Sequence, residues 1–347
     1  MNSETPVPHP QIHNDTAFAF ATIVVSDEES VPQYVSIVQA QYSFAASGPL
    51  VRPEEQPDPN LGGEWYGDPA ATSLKLEPQF AFVKPATDVV LIGHALAPHP
   101  GATTTQVGIL VGPVRKVARV TGDRRLTTRL GMSHMSPPEP FERIPLVYER
   151  AFGGWDRRAE DPVKHAFEAR NPVGTGFRAG SADPDDEIAV PNIEDPEHPF
   201  QSYGDTPPPI GFGFIAPNWQ PRLAYGGTYD EKWDQTRKPL LPVDFDRRFF
   251  NAASPGLIAP GYLVGDEPVV LLGVTPEERI AFNLPGVPPP VCQVDTRDGK
   301  RAVLQTNLDT VIVDADTRVV TLQWRTTLSL RDGPHEVVAV HVQTMAA

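Results

Sequence analysis

Proline is the feature that most restricts how this chain can fold. The 347 residues include 40 prolines and 27 glycines, and this proline share is about twice the usual value of roughly 5%. Because a proline inside a helix removes a hydrogen-bond donor and clashes with the preceding turn, long helices are disfavoured. The sequence therefore predicts a mainly β protein with long irregular connections and few, short helices.

Strand-length runs of β-branched and aromatic residues follow one another along the first part of the chain, bounded by Pro, Gly and Asp. They predict an antiparallel sandwich or a distorted barrel. Near the end of the chain, two alternating runs flank residues 314–317, which predicts a hairpin, and residues 335–344 are expected to close the sheet. The early runs include residues 16–25, 34–45, 78–85, 87–98, 103–123 and 141–152.

Changes in composition divide the chain into four segments. The central one loses regular periodicity but keeps many aromatic rings, which a flexible linker would lack, so it is predicted to be packed loop. Residues 229–239 and 242–256 within it predict short helices, each with an acidic start and a proline or glycine stop. The segments are a flexible tail at 1–11, a sandwich or barrel-like part at 12–152, the aromatic, Pro/Gly-rich packed loop region at 153–262, and a C-terminal β part at 263–347 that is expected to complete the same fold.

Charge and cysteine content restrict the partners and the compartment. A formal net charge of -15 and a pI near 5.0 oppose binding to nucleic acid or to an anionic membrane. The basic stretch at 115–129 is a local exception, read either as a solvated strand face and turn or as a docking patch for an acidic partner. The single Cys292 cannot form a disulfide framework, and neither a secretory signal pattern nor an 18-residue apolar stretch is present, so a cytoplasmic location is predicted.

The sequence offers no recognisable catalytic motif, metal site or cofactor site. The glycine spacings at 174–179 and 211–216 lack the flanking strand and helix of a dinucleotide fold, and Cys292 lies between valines, as an inert core thiol does. One enzyme-like combination remains, because a glycosidase needs two acids across a sugar and aromatic platforms. The competing interpretation is structural, with Asp244 or Asp246 pairing Arg247 or Arg248. The acids near aromatic rings are Asp156, Asp230, Glu231, Asp234, Asp244 and Asp246.

Two glycine pairs flanked by aromatic residues mark the central segment. Gly153 and Gly154, and then Gly226 and Gly227, either cradle a ligand or let the main chain turn where rings pack, and we interpret them as backbone-shaping residues. Trp, Tyr and Arg near them are the types that dominate protein-binding hot spots. The predicted partner-binding residues are Arg150, Phe152, Trp155, Trp219, Tyr225, Tyr229, Trp233, Arg247 and Arg248.

Long motifs in this region resemble a known family. YERAFGGWD at 148–156, GFGFIAPNWQPRLAYGGTYDEKW at 211–233 and PLLPVDFDRRFFNAASPG at 239–256 resemble the core of an uncharacterised-domain family encoded in type VI secretion clusters, described as effector adaptors or chaperones. The resemblance implies a bacterial, cytosolic, non-enzymatic protein that binds a toxic effector, often one with a PAAR-type domain, and helps load it onto the secretion spike. It implies no particular binding residues and no small-molecule substrate. A carbohydrate-active enzyme or sugar-binding module is the alternative.

Overall fold

The computed structural model describes residues 10–129, 132–181, 186–330, 333 and 336–344. The predicted mainly β fold is confirmed, and the helices of these residues are short and lie in or next to the central segment. The α-helix α1 (Glu231–Thr236) and the 3-10 helix Arg247–Phe250 lie inside the two stretches predicted to be helical. The other 3-10 helices span Tyr148–Arg150, Pro162–Lys164 and Arg222–Gly226.

The strands of the described residues range from two to twelve residues in length. In chain order they are β1 (Gln11–Asn14), β2 (Ala19–Ser26), β3 (Pro32–Ser43), β4 (Glu64–Trp65), β5 (Leu74–Leu76), β6 (Asp88–Ile92), β7 (His94–Leu96), β8 (Thr104–Val111), β9 (Val114–Thr121), β10 (Arg125–Arg129), β11 (Met132–Met135), β12 (Arg143–Pro145), β13 (Phe152–Gly153), β14 (Trp155–Asp156), β15 (Ala166–Phe167), β16 (Thr175–Gly176), β17 (Glu187–Ala189), β18 (Ile193–Glu194), β19 (Pro268–Leu272), β20 (Arg279–Asn283), β21 (Pro290–Thr296), β22 (Arg301–Gln305), β23 (Asn307–Asp314), β24 (Val319–Ser329) and β25 (Val337–Thr344).

Three sheets organise the molecule. Sheet I has the strand order β2-β3-β24-β23-β6, sheet II has the order β18-β9-β8-β19-β20, and sheet III has the order β1-β25-β21-β22. Each of them combines strands that are distant in the sequence, and most neighbouring strands are antiparallel. In the described residues each sheet has two different end strands and none closes into a barrel, so the architecture is that of a sandwich. The smaller sheets are β11-β10-β17, β12-β7, β13-β16, β14-β15 and β4-β5.

Strand β3 lies between two apolar clusters, which explains why nearly all of its residues are buried. Val38 faces the main core, where it joins Trp324 of sheet I and Leu271 of sheet II. The alternate residues Val35 and Ile37 face a second cluster under the central loops. Because successive side chains of a strand point to opposite faces, one strand connects the sandwich core with the loop layer.

One predicted strand is wrong. Residues 78–85 cross the second cluster without joining a sheet, and Pro78 and Pro85 at its two ends cannot donate to a ladder. Side chains satisfy its carbonyl groups instead, since Arg325 Nη1 donates to Ala81 O at 2.9 Å and Thr327 Oγ1 donates to Phe82 O. The stretch combines strand-like composition with a buried irregular path.

The predicted C-terminal hairpin is confirmed, because β23 and β24 pair in antiparallel fashion around residues 315–318. The prediction that the last strand closes that sheet is wrong. This strand pairs with β21 and β1 in sheet III. Strand β24 is already flanked by β3 and β23, so sheet I has no free position beside the hairpin.

Candidate functional site

The central loops form an apolar groove on the outer side of the second cluster. It encloses about 530 Å³. None of its lining side chains is charged, and the exposed Leu223 and Tyr229 stand at its opening, with 48% and 57% of their surface accessible. We call this surface the groove, and its residues are Val25, Ser26, Phe80, Pro217, Asn218, Leu223, Gly226, Tyr229, Leu241, Phe245, Phe249 and Phe250.

Local hydrogen bonds hold the loops on one side of the groove. Asp230 caps α1 by accepting from Trp233 N at 2.8 Å, and the indole Nε1 of Trp233 donates to Leu240 O at 2.9 Å. Asp244 accepts from the backbone and the hydroxyl of Thr228 at 3.0 and 2.7 Å. Acids that precede short helices in the sequence thus fix a segment that has little regular structure.

Arg222 fixes the part of the groove wall that contains Phe249. Its Nε donates to Phe249 O at 2.7 Å and its Nη1 donates to Ile215 O at 2.9 Å, while its Nη2 is bonded to Glu77. The guanidinium carbon also lies 5.1 Å from the centre of the Phe249 ring. This side chain is only 2% exposed, so it supports the groove wall from inside the protein.

Arg222 belongs to a buried ionic cluster of three acids and three bases. Lys84 Nζ is the centre, at 2.9 Å from Glu77 Oε2, 2.9 Å from Asp88 Oδ2 and 3.1 Å from Thr310 Oγ1. The equal number of positive and negative groups makes the buried charges balance. The members are Glu77, Lys84, Asp88, Arg222, Asp309 and Arg325, all at most 4% exposed.

The pKa shifts of this cluster follow from its geometry. Burial opposes the charge of Glu77, but the positive charges of Lys84 and Arg222 lower its pKa below the ordinary value. Burial also opposes the charge of Lys84, and the carboxylates of Asp88 and Glu77 raise its pKa. Burial raises the pKa of Asp88, yet its oxygens accept from Lys84, from Asn251 Nδ2 and from Ala252 N, so we assign it as anionic.

Ion pairs beside the groove neutralise several charged side chains of the loops. Arg247 Nε lies 2.6 Å from Glu28, and Arg237 Nη2 lies 2.6 Å from Glu29. Arg247 and Arg237 lie on the central loops, whereas both glutamates directly follow strand β2. These pairs tie the loop layer to the end of sheet I.

Two predicted partner-binding residues belong to the core instead. Phe152 is 2% exposed and packs on Phe200 with a ring distance of 5.9 Å, and Trp219 is 3% exposed and meets Tyr148 edge to face at 5.5 Å. Each ring is therefore almost fully covered by its neighbours. Large aromatic rings are as typical of cores as of interfaces, and the sequence did not distinguish the two.

The other predicted partner-binding residues lie in or near the groove, except for Arg150 and Trp155. Tyr229 lines the groove, and Trp233 supports the loop around it. Arg248 is exposed, paired with Asp246 at 2.6 Å and stacked at 4.5 Å over the ring of Tyr225. Arg247 pairs with Glu28, as described above. Arg150 lies elsewhere, bonded to Asp123 and Asn192 at 3.3 and 3.2 Å, and Trp155 lies in a separate cleft.

Three of the four marked glycines have a positive φ: Gly153 at 149°, Gly154 at 100° and Gly227 at 83°. A Cβ on Gly227 would approach Pro242 to 2.7 Å, so this glycine permits close packing of the loop. Gly226 differs, because it ends a 3-10 helix and lines the groove without a positive φ. The absence of a side chain at Gly226 leaves the Phe249 ring uncovered.

The groove also contains residues that the sequence did not single out, namely Leu223, Leu241, Phe245 and Phe249. Their apolar character was visible, but their spacing follows neither a helix nor a strand. Proximity to the Gly-Gly and Asp-Phe-Asp motifs was the one signal that could have found them.

Trp155 forms a second exposed aromatic surface. Its ring stacks on Phe167 with centres 4.5 Å apart, and Arg157 lies 5.0 Å from the Trp155 ring. Both rings are more than two-fifths exposed. They border a cleft of about 610 Å³ in which Arg157 is the charged lining residue.

The acids considered for sugar hydrolysis have structural roles. Asp156 accepts from Arg158, and the hydrogen bonds from that guanidinium lower its pKa strongly. Hydrogen bonds likewise lower the pKa of Asp244, from Thr228, and of Asp246, from Arg248. A general acid for glycoside hydrolysis needs a raised pKa, so these groups lack the required property.

Burial raises the pKa of Cys292 to about 12, as expected for a core thiol. Among the described residues, no group of three or more His, Cys, Asp or Glu side chains is arranged to hold a metal ion. No helix of the described ranges has the length and hydrophobicity needed to cross a membrane.

Much of the basic stretch at 115–129 is paired or turned inward. Arg124 bonds Glu194 at 2.6 Å and Arg125 bonds Glu187 at 2.5 Å. Lys116 Nζ donates to Ser254 Oγ at 2.6 Å and to Pro255 O at 2.8 Å, which ties sheet II to the loop after the groove. Lys116, Arg124 and Arg125 therefore have structural contacts, whereas Arg115 and Arg119 are exposed. Burial lowers the pKa of Lys116 to about 7.

We expect Lys116 to make stability depend on pH. Between about pH 7 and 10.5 the unfolded chain keeps this proton and the folded chain does not, so the free energy of unfolding should rise with pH. Lys116→Met should remove this rise. The increase in the free energy of unfolding between pH 6.5 and pH 9.5 should be smaller in the variant by more than about 1 kcal/mol, since one pKa unit corresponds to about 1.4 kcal/mol. Denaturant unfolding of both proteins at the two pH values measures it, and parallel pH curves would contradict the assignment.

Comparison with protein families assigns the chain to one of them. It belongs to a bacterial family described as an uncharacterized protein conserved in bacteria (DUF2169), which matches residues 29–325. Comparisons with curated proteins and with solved structures gave no match.

Proposed function

We propose that this protein is a cytoplasmic adaptor that binds a type VI secretion effector and helps load it onto the secretion spike without catalysing a reaction. The observation that carries the proposal is the uncharged groove with exposed Leu223 and Tyr229 at its opening. Exposed apolar patches of this kind are typical of protein-binding sites. The family resemblance of the sequence motifs supplies the class of partner.

The construction of the groove supports a binding role. Its walls are fixed by the hydrogen bonds that Arg222 donates and that Asp230 and Asp244 accept, so little ordering is needed when a partner docks. A surface that is already ordered loses less entropy on binding. The charged groups beside it are mutually paired, which leaves apolar contact as the main attraction inside the groove.

The Trp155 cleft favours the alternative of a sugar-binding module. The stacked rings of Trp155 and Phe167 present an exposed aromatic surface of the kind on which sugars stack. If this alternative holds, soluble oligosaccharides should quench tryptophan fluorescence, and Trp155→Ala should abolish the change. The adaptor proposal expects no such quenching.

Leu223→Glu tests the adaptor role. The tagged protein is co-expressed with the products of neighbouring genes, and one effector is expected to co-purify. Because the substitution places a charge in an apolar site, it should weaken that complex by at least about 2 kcal/mol, or roughly thirtyfold in Kd. Isothermal titration with the purified effector measures the loss.

Val163→Glu is the matched control, since Val163 is 91% exposed and lies outside the groove. It should bind the effector as the unmodified protein does, and both variants should keep the normal melting temperature. If folded Leu223→Glu binds with unchanged affinity, the groove is not the docking site. If none of the neighbouring products binds, the adaptor proposal fails.

A further inference from the structure

Strand β2 is an edge of sheet I, and it ends where the groove begins. Its eight residues pair with β3 without interruption of the register. The sequence of β2, AFATIVVS, contains neither a charged residue nor a proline. Its last two residues, Val25 and Ser26, line the groove.

The register shows which backbone groups of β2 face outward. Phe44 N donates to Arg318 O on the β24 side, so the even-numbered residues of β3 face β24 and the odd-numbered ones face β2. Ala19 is paired with Gln39, and Asp27 N donates to Val31 O in the same ladder, so the odd-numbered residues of β2 bond to β3. The N–H and C=O groups of Phe20, Thr22, Val24 and Ser26 therefore point outward, and they have no backbone partner in the described part of the chain.

The other edges of the three large sheets are protected or short. Strand β6 is covered, since Val89 N bonds Leu257 O and Leu91 N bonds Phe212 O. Strands β20 and β22 each carry an arginine, and β18 and β1 have only two and four residues. Proteins normally protect edges with charges, prolines or covering segments, because an open edge templates a further strand. Among these edges, β2 combines length with the lack of any such protection.

We propose that β2 accepts an extended segment of the secreted effector as an additional strand of sheet I. The proposal rests on the adaptor function and specifies how the effector is held. Outward N–H and C=O groups at every second residue match the backbone of an extended chain. The segment also needs apolar side chains, because Ile23 and Val25 pack against the second cluster and side chains on the same face of an added strand meet the groove.

The occupant is therefore a stretch of about eight residues with apolar side chains at alternate positions and no proline in its centre. A second copy of this chain is the competing occupant, since two β2 edges could pair with each other. The groove favours the effector segment, because β2 itself carries only small or medium side chains after Phe20 and would leave the groove unfilled.

The test uses an array of overlapping 15-residue peptides that covers the proteins encoded by the neighbouring genes. The peptide that binds most tightly is then made with single backbone N-methyl groups at successive positions, and fluorescence anisotropy measures its affinity. Strand addition predicts that methylation at every second position weakens binding at least tenfold, while the positions between tolerate it. Loss without a period of two, or no loss, would overturn the proposal.

Protein variants provide the second arm. Val24→Pro removes an outward N–H while keeping every bond to β3, and Val24→Lys places a charge at the edge; both should weaken peptide binding at least tenfold. Ala281→Pro is the matched control, because the backbone N–H of Ala281 also points away from the sheet on an edge strand, β20. Peptide binding should be unchanged in that variant. Folded Val24 variants that bind normally would overturn the proposal.

Three further outcomes are decisive. If light scattering shows a dimer that Val24→Pro dissociates, β2 serves a second copy and the proposal is wrong. If Leu223→Glu abolishes binding of the full-length effector but Val24→Pro and Val24→Lys bind it normally, the adaptor function is supported and strand addition is wrong. If neither the peptides nor the full-length proteins encoded by the neighbouring genes bind, both the adaptor function and strand addition are wrong.

Discussion

Lys84→Met is expected to lower the free energy of unfolding by about 3 to 5 kcal/mol, the usual cost of removing one partner from a buried ion pair. Methionine approximates the volume of lysine, so the loss comes from charge and not from a cavity. Glu77 keeps Arg222, but Asp88 loses its cation in a site where it is fully buried. Chemical denaturation measures the difference.

The pH dependence of this loss identifies its cause. Without Lys84 the pKa of Asp88 rises further in the folded state, so above the unfolded pKa the folded chain binds more protons and stability falls as pH rises. The loss should therefore be larger at pH 8 than at pH 5. Lys75→Met is the control, since Lys75 forms a partly exposed pair with Glu64 at 2.7 Å, and such pairs contribute about 0 to 1 kcal/mol. Equal losses for the two variants would contradict the charge-balance account.

Gly153→Val is expected to destabilise the protein by at least about 3 kcal/mol, or to abolish soluble expression, because it combines backbone strain with a collision. The φ of Gly153 is 149°, and a Cβ there would lie 2.1 Å from the carbonyl oxygen of Asn171. The Asn171 side chain cannot move aside easily, since its Nδ2 donates to Tyr148 O and Phe152 O. Thermal unfolding and soluble yield report the effect.

Gly180→Val separates the two contributions. Gly180 also has a positive φ, 78°, but no atom of the described residues lies within 4 Å of a Cβ built on it. Gly180→Val should be destabilised only by backbone strain, by about 1 to 2 kcal/mol. If both variants unfold at the same temperature, the close approach to Asn171 does not determine the requirement for glycine at position 153.

Local patterns in the sequence were sufficient to predict the fold class, the β23–β24 hairpin and the short helices. They failed where non-local packing decides the structure. Residues 78–85 have strand composition, but Arg325 and Thr327, more than 200 positions away, satisfy their carbonyls. The sheet to which the last strand belongs was likewise decided by distant strands.

The candidate site was predicted only in part. Tyr229 and the loops that carry it were expected, because aromatic residues next to glycine pairs are visible in the sequence. Leu223 and Arg222 were missed, since an apolar side chain at a groove and a buried arginine behind it have no periodic signal. Phe152 and Trp219 show the reverse error, because exposure depends on which neighbours the fold supplies.

Strand β24 is inserted between β3 and β23, so Ala40 pairs with Leu322, 282 positions further along the chain. Contacts of such long sequence separation close large loops and slow folding. During synthesis on the ribosome, sheet I cannot form until residues 319–329 have emerged. The groove lies over the second cluster, which includes Val35 and Ile37 of β3, so the groove is not complete before sheet I has formed. If the proposed adaptor function holds, an effector made at the same time has no groove to bind until the whole of sheet I has been synthesised.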